Sequence, residues 1–236
     1  MLYTLQTVKD NLRNRDGKRV FYLGKGDQLT SQARDFLNGE RIEILPAAEA
    51  RKDRWQLLSG GFSEEKPEHM THLNGDVLVP KTHPRIRFRG MMDTLEAELL
   101  WCCLQVQTDV QRQLEEILAF VRDLVRRDVL EEAVEEIALC GLSQQQLREH
   151  SHRPQDFYGQ PHFMPSPKDS QAILAVNRAR CMARAAELSA AEAFCDRDGN
   201  PTRPDILQAL NRVSSMLYLL MIRLKAQQQG EGAYGI

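Results

Sequence analysis

No Cys-x-x-Cys pair occurs among the five cysteines Cys102, Cys103, Cys140, Cys181 and Cys195, so zinc-ribbon and thioredoxin-like signatures are absent. The count is odd and three of the five lie within apolar helical runs, which argues against a disulfide framework and for a reducing cytosol. No stretch reaches the roughly 18 consecutive apolar residues of a membrane-crossing helix. No hydrophobic segment follows a basic start either, so neither membrane spanning nor secretion is expected. Neither sign of charge dominates: 31 basic residues face 33 acidic ones, for a net charge of −2. The basic excess that usually accompanies nucleic-acid binding is therefore missing. The Walker A spacing is absent, as are internal repeats and low-complexity tracts.

What is present is enough apolar material for a substantial core, 42% of 236 residues, fitting one full domain with a small appendage. Residues 1–65 have mixed α/β character. Arg19–Leu23 and Arg41–Leu45 read as short strands, and Leu29–Leu37 as a helix with Thr30 or Ser31 available as cap. Gly60-Gly61 then punctuates a charged segment ending near Pro67. From residue 86 the pattern is helical. Met92, Leu95, Leu99, Cys102 or Cys103 and Val106 form one stripe; Val110, Leu114, Ile117, Val121 and Leu124 form another. Val129, Ala133, Val134 and Ile137 suggest a third helix whose solvated side is Glu131, Glu132, Glu135 and Glu136. Residues 150–168, rich in histidine and proline, read as a loop whose length favours a functional role. Ala172–Phe194 is an Ala-rich helix. Thr202-Arg-Pro-Asp205 resembles a capping box opening a last helix to about Gln227, with fraying from Gly230. The expected fold class is all-α, a five-helix antiparallel bundle over 66–236 with a small N-terminal α/β appendage over 1–65.

The last helix carries the most informative feature. Within Pro204–Ile222, greasy on nearly every side, sit Asn211-Arg212 and Ser214-Ser215. An amide and a guanidinium there need partners, since an unpaired buried polar group costs roughly 2–7 kcal/mol. Upstream, Arg180, Arg184 and Glu187 are spaced i, i+4, i+7 and fall within about 60° of one another on one helix face. Such a row can be an exposed salt-bridge ladder. The small residues Ala179, Cys181, Ala183, Ala185 and Ala186 around it leave room for a ligand or another helix. Between Thr71 and Gly90, Lys81, Arg85, Arg87 and Arg89 fall within nine residues. They read either as a basic linker or as a cradle for polyphosphate, lysine acting as a point charge and arginine as a planar fork. The histidines, His69/His72 and His150/His152, lack partners at ligand spacing, and no metal site is expected. Phe157, Tyr158 and Phe163 either pin the proline-rich loop or wall a flat hydrophobic cofactor.

Three of these motifs together resemble the ATP:corrinoid adenosyltransferases, most closely the ethanolamine-utilisation type and more distantly the propanediol-utilisation type. They are Arg203-Pro-Asp-Ile-Leu-Gln-Ala-Leu-Asn-Arg-Val-Ser-Ser215, Thr71-His-Leu with Lys81-Thr-His-Pro-Arg85 and Gly90-Met-Met-Asp93-Thr-Leu, and Arg180-x3-Arg184-x2-Glu187. Leu29–Leu37 is similar to the N-terminal segment of the ethanolamine type. The His/Cys metal motif of many ethanolamine-type members is missing, since residues 46–69 contain no cysteine. Where the propanediol type ends its last motif in Asp, this chain has Ser215, and its Gly-Asp-x-Gly-Thr loop is only suggested by Gly26-Asp27.

The resemblance implies transfer of the 5′-deoxyadenosyl group of ATP to the cobalt of reduced cobalamin, giving adenosylcobalamin and triphosphate. It implies a bundle of five helices and a homo-oligomer, trimer or dimer, with sites between subunits. Lys81, Arg180 and Arg184 are then expected on the triphosphate, with Arg85 and Arg89 as secondary candidates for the same contact. Glu187 would orient Arg184 or bind the nucleoside, and Asn211 would bond adenosine or ribose. Thr71, His72 and Asp93 belong to the nucleotide-binding run, and Arg212 would pair with Asp93 across the bundle. Mg²⁺ would bridge phosphate oxygens. Phe163, in Phe163-Met-Pro165, would displace the lower axial ligand of cobalt. A cobalamin-dependent lyase or dehydratase would receive the product, in the cytoplasm or inside a bacterial microcompartment. The alternative is a non-catalytic corrinoid- or nucleotide-binding helical protein associated with such a compartment.

Overall fold

The computed structural model describes residues 1–15, 18–47, 55–63 and 65–232. Two compact units emerge: residues 1–68 with 76–78, and residues 69–75 with 79 onward. The expected fraying beyond Gly230 lies, from residue 233, outside the described residues.

The first unit holds β1 (Leu2–Tyr3), α1 (Leu5–Asp10), β2 (Arg13–Arg15), β3 (Lys18–Leu23), β4 (Gln28–Leu29), α2 (Ser31–Gly39), β5 (Glu43–Pro46), β6 (Trp55–Leu57) and β7 (Phe62–Ser63). The two strands and the helix read from the sequence are present. β3 and β5 run parallel, Val20 opposite Glu43 and Leu23 opposite Pro46, with α2 as the crossover. The Thr30 hydroxyl caps α2 by accepting from the Ala33 N–H at 3.3 Å, the N-terminal signal its sequence carries. Val8, Phe21, Ala33, Leu37 and Ile42 form this unit's core. Gln56 and Leu57 pair in parallel with Val77 and Leu78 of β9 (Val77–Pro80).

The second unit is helix-rich. After β8 (Met70–Asn74) come α3 (Pro84–Cys103), α4 (Thr108–Leu130), a tight hairpin of β10 (Ala138–Leu139) and β11 (Leu142–Ser143), α5 (Gln144–His152), α6 (Pro154–Tyr158), α7 (Gln171–Phe194) and α8 (Pro204–Gly232). Cross-helix pairs set the directions. Arg87 meets Glu192 and Arg178 meets Glu98, so α3 and α7 are antiparallel. Glu96–Arg122 and Arg89–Asp128 make α3 and α4 antiparallel. Gln113–Arg223 and Val134–Asp205 orient α4 against α8, and Glu187–Asn211 orients α7 against α8. Each long helix therefore opposes its neighbours. Both apolar stripes read from the sequence point inward, with Met92, Leu95, Leu99, Leu114, Ile117, Val121 and Leu124 buried. On α7 the inward residues include Ala175, Ala179, Ala183, Ala186 and Ala190, which lets neighbouring helices approach closely.

Three local expectations are corrected. The helix expected around Val129–Ile137 does not form. α4 stops at Glu131, which turns left-handed (φ 59°) and sends its N–H back to Arg127 and Asp128. Residues 132–137 are irregular, burying Ile137, and lead into a turn at Cys140 and Gly141 with φ 53° and 78°. Two successive positive φ values are the two-residue hairpin geometry that glycine favours. The loop expected over 150–168 is partly helical: His150 and His152 end α5, and Phe157 and Tyr158 belong to α6. Finally, Thr202 and Asp205 form no capping box. The Thr202 hydroxyl donates to the Phe194 carbonyl at 2.8 Å, while Asp205 accepts the Val134 N–H and pairs with Arg203.

Candidate functional site

The seam between α7 and α8 brings together most of the polar residues singled out above. Because the helices are antiparallel, Glu187 faces Asn211 and Arg180 faces Tyr218. The Asn211 amide donates to Glu187 Oε1 at 2.9 Å, and Arg212 Nη2 donates to Asn211 Oδ1 at 2.9 Å. The hydroxyls of Ser214 and Ser215 both donate to the Asn211 carbonyl at 3.0 Å, which answers how two serines are accommodated in so apolar a helix. Burial, and then the nearby Arg148 guanidinium, hold Arg212 below the usual arginine value. Its Nε is buried without a hydrogen-bond partner. Arg184, between these levels, is exposed and has no ion-pair partner among the described residues. The seam thus offers a free guanidinium, a second guanidinium over an aromatic ring, and a carboxylate–amide pair. Those groups can hold a polyanion at one end and hydrogen-bond a nucleoside at the other.

A strap crosses the Arg180 end of the seam. After Gly159 (φ 66°) closes α6, residues 160–169 run irregularly to the Ser170 cap of α7. His162 Nδ1 lies 2.7 Å from the Tyr218 hydroxyl, and His162 Nε2 lies 3.2 Å from the His152 carbonyl. The buried Asp169 carboxylate accepts from Lys225 at 2.6 Å and from the Ser166 N–H at 2.6 Å. The Lys225 ammonium, first, and then the Ser166 backbone N–H hold its pKa below the usual carboxylate range. Phe163 is half-buried, packed against the helical core and 5.7 Å beneath Lys225 Nζ. Phe157 instead stacks on His150 with ring centroids 3.8 Å apart.

The basic run before α3 is put to a different use. Asp128, fully buried on α4, receives Arg85 at 2.9 Å and Arg89 at 2.7 Å. Arg85 also donates to the Asp128 carbonyl at 2.8 Å, and Arg89 reaches the His72 carbonyl at 3.5 Å. Asn74 donates to Glu131 at 2.6 Å. The two arginines expected as further contacts to the triphosphate are instead engaged in fastening β8, which carries Thr71 and His72, to the end of α4. His72 Nδ1 lies 3.1 Å from the Gly75 carbonyl. His83 caps α3, its Nδ1 accepting the Arg85 N–H at 3.2 Å. Lys81 is exposed.

Within one chain the two cationic groups do not converge. Arg85 lies 5.9 Å over the Phe194 ring at the C-terminal end of α7, and Arg180 lies roughly 20 Å earlier along that helix at 1.5 Å per residue. Asp93 is exposed and, judged by the flanking Arg87–Glu192 and Arg178–Glu98 pairs, level with Arg184 and Glu187. The described ion pairs do not include Arg212 with Asp93; Arg212 donates to Asn211 instead, because both are on α8 one residue apart.

Sequence reasoning missed Asp128 and Tyr218, though both left a signal. Val121, Leu124 and Asp128 continue one helical stripe, so an acidic residue stood at a core position. Tyr218 is seven residues after Asn211 and shares its face. Arg212 also lines an open cleft of about 500 Å³, together with Glu135, Glu136, Ser143, Gln144, Arg148 and Gln208, among others. Among the described residues no group of three or more His, Cys, Asp or Glu side chains is placed to hold a metal, and no helix is long and apolar enough to cross a membrane.

A helix-rich unit with a polar, partly cationic seam between two antiparallel helices is the class that fold and site define. Residues 62–224 match the model of one family, cobalamin adenosyltransferase. The chain belongs to that family. It is 33% identical over 158 residues to the corrinoid adenosyltransferase EutT of Salmonella typhimurium, covering 67% of this chain and 59% of that protein. Against the Escherichia coli K12 protein of the same name the identity is 34% over the same coverage. The match therefore spans less than two thirds of these relatives' length. A solved variant of the PduO-type ATP:corrinoid adenosyltransferase from Lactobacillus reuteri, complexed with ATP, is similar with a TM-score of 0.51 and 18% identity, over 68% of this chain and 92% of that one. That likeness concerns the fold.

Proposed function

We propose that this protein transfers the 5′-deoxyadenosyl group of ATP to the cobalt of reduced cobalamin. The electron pair of Co(I) forms a bond to C5′ as the C5′–O bond breaks, cobalt becomes formally Co(III), and triphosphate departs. The metal centre of the substrate is the nucleophile, so the protein needs to position the partners and stabilise charge on the leaving group. The observation that carries the reading is the Arg180/Arg184/Glu187 row set against Asn211 on the neighbouring helix, in a member of a family of that name.

In this reading Arg184 and Arg180 meet the triphosphate, and Asn211 with Glu187 takes the nucleoside. Because Lys81 and the Thr71–His72 strand lie far from that row within one chain, they complete the nucleotide site of a neighbouring copy, in a trimer or dimer. Asp93, exposed and level with Arg184, is free for the same contact. The donor set suits Mg²⁺ held by phosphate oxygens and water rather than by a protein cage, since the Glu187 carboxylate is already bonded to Asn211. Phe163 would face the corrinoid. Short α5, packed on α8, serves as the fifth member of the five-helix antiparallel bundle, with residues 1–65 as an appendage. The product would pass to a cobalamin-dependent lyase or dehydratase in the cytoplasm or a microcompartment.

The test is an anaerobic assay with ATP and chemically reduced cobalamin. Wild-type protein should form adenosylcobalamin, and Arg184→Ala should lower kcat/KM by about 10²-fold, the usual scale for a charge-stabilising donor. Binding of corrinoid without turnover by the wild-type protein would return the non-catalytic reading.

A further inference from the structure

Tyr218 was not among the residues expected to matter, yet it touches both halves of the seam's Arg180 end. Its ring lies 5.2 Å beneath the Arg180 guanidinium. Its oxygen lies 2.7 Å from Nδ1 of His162, the residue before Phe163 in the strap. His162 Nε2 faces the His152 carbonyl, which can only accept, so the ring proton sits on Nε2 and Nδ1 accepts from the tyrosine hydroxyl. The hydrogen bonds therefore run in one direction, from Tyr218 to His162 and from His162 to the end of α5. The His162 and Tyr218 rings also stack at 14°.

We infer that Tyr218 is a positioning residue that sets the strap carrying Phe163 and the first guanidinium of the cationic row in one fixed arrangement. The inference rests on the proposed adenosyl transfer for its kinetic consequence, though not for its structural one. An arginine over an aromatic face keeps its five N–H donors directed outward while its cation is held by the ring. The hydroxyl, at the far end of the same side chain, holds His162, the strap residue next to Phe163. Burial raises the Tyr218 pKa, with the nearby Phe163 backbone and the Arg180 charge opposing that shift, so the phenol stays protonated and able to donate at neutral pH. A second tie, Lys225–Asp169, holds the strap's far end.

Two substitutions separate the roles of ring and hydroxyl. Tyr218→Phe keeps the ring under Arg180 and removes the chain of hydrogen bonds; Tyr218→Leu removes both. In Tyr218→Phe, amide hydrogen exchange across the strap, residues 160–169, should rise about tenfold or more while exchange in α7 and α8 stays at the wild-type level. In the adenosylation assay that variant should raise the KM for corrinoid about fivefold and leave the KM for ATP within about twofold, and Tyr218→Leu should raise both. Unchanged exchange across residues 160–169 in Tyr218→Phe overturns the inference, as does an equal rise of both KM values in that variant. If the exchange responds and wild-type protein forms no adenosylcobalamin, the positioning role stands and the adenosyl-transfer reading falls.

Discussion

The side-chain amide of Asn211 donates to the carboxylate of Glu187 across two antiparallel helices at 2.9 Å. The pair joins the two motifs most conspicuous in the sequence, and Arg212 holds the amide in that orientation by donating to its oxygen. Asn211→Asp places a second carboxylate opposite the first, so one of the two must take a proton or repel the other. We expect the KM for ATP to rise about tenfold or more at pH 8 and to recover in part at lower pH as one carboxylate is protonated. A KM unmoved at both pH values would detach this pair from the nucleotide.

Asp128 is buried beneath two arginines that are themselves largely covered. Removing one partner of a buried ion cluster leaves charge uncompensated, at about 3–5 kcal/mol. Asp128→Ala should therefore lower stability to urea by that order. A loss below about 1 kcal/mol would mean that water replaces the carboxylate at little cost.

His83 has its pKa held down by burial first and then by the charges of Arg85 and Arg89. Its neutral Nδ1 caps α3. With the folded value below the unfolded one near 6.5, the unfolded chain binds the proton more readily. This contribution to stability is present above about pH 6.5 and is lost as pH falls through the depressed folded value. His83→Asn, which can cap without titrating, should lose less stability than wild-type protein between about pH 7 and pH 5. Parallel stability curves for the two proteins would exclude the cap as the source.

Burial pushes the thiols of Cys102 and Cys140 up to about 12, whereas Cys181 is exposed on α7. Since the thiolate is the reactive form, a disulfide reagent at pH 8 should label Cys181 in the native protein and reach Cys102 and Cys140 only on unfolding. Rapid native labelling of Cys102 would contradict the packing of α3.

The helices that carry long apolar stripes, α3, α4, α7 and α8, were readable because their period of 3–4 residues persists for five turns or more. Thr30 and the β-branched or aromatic residues of Val20-Phe-Tyr likewise announced a capped helix and a strand in the first unit. Residues 129–137 misled because Val129, Ala133, Val134 and Ile137 fit helical spacing over too few turns to exclude an irregular path. There the left-handed Glu131, tied to Asn74 and Arg85, ends the helix.

Chain order alone determined which groups share a face: Arg180 with Arg184 and Glu187, and Asn211 within an apolar helix that demands partners for it. Helical periodicity is a local property, so it survives without any knowledge of neighbours. Only the packed structure decided that Asp128 claims Arg85 and Arg89, that Arg212 turns to Asn211 rather than Asp93, and that Tyr218 ties the strap to the cationic row. Those pairings depend on which helices lie antiparallel and at what height, and burial makes a partner obligatory once that geometry is set.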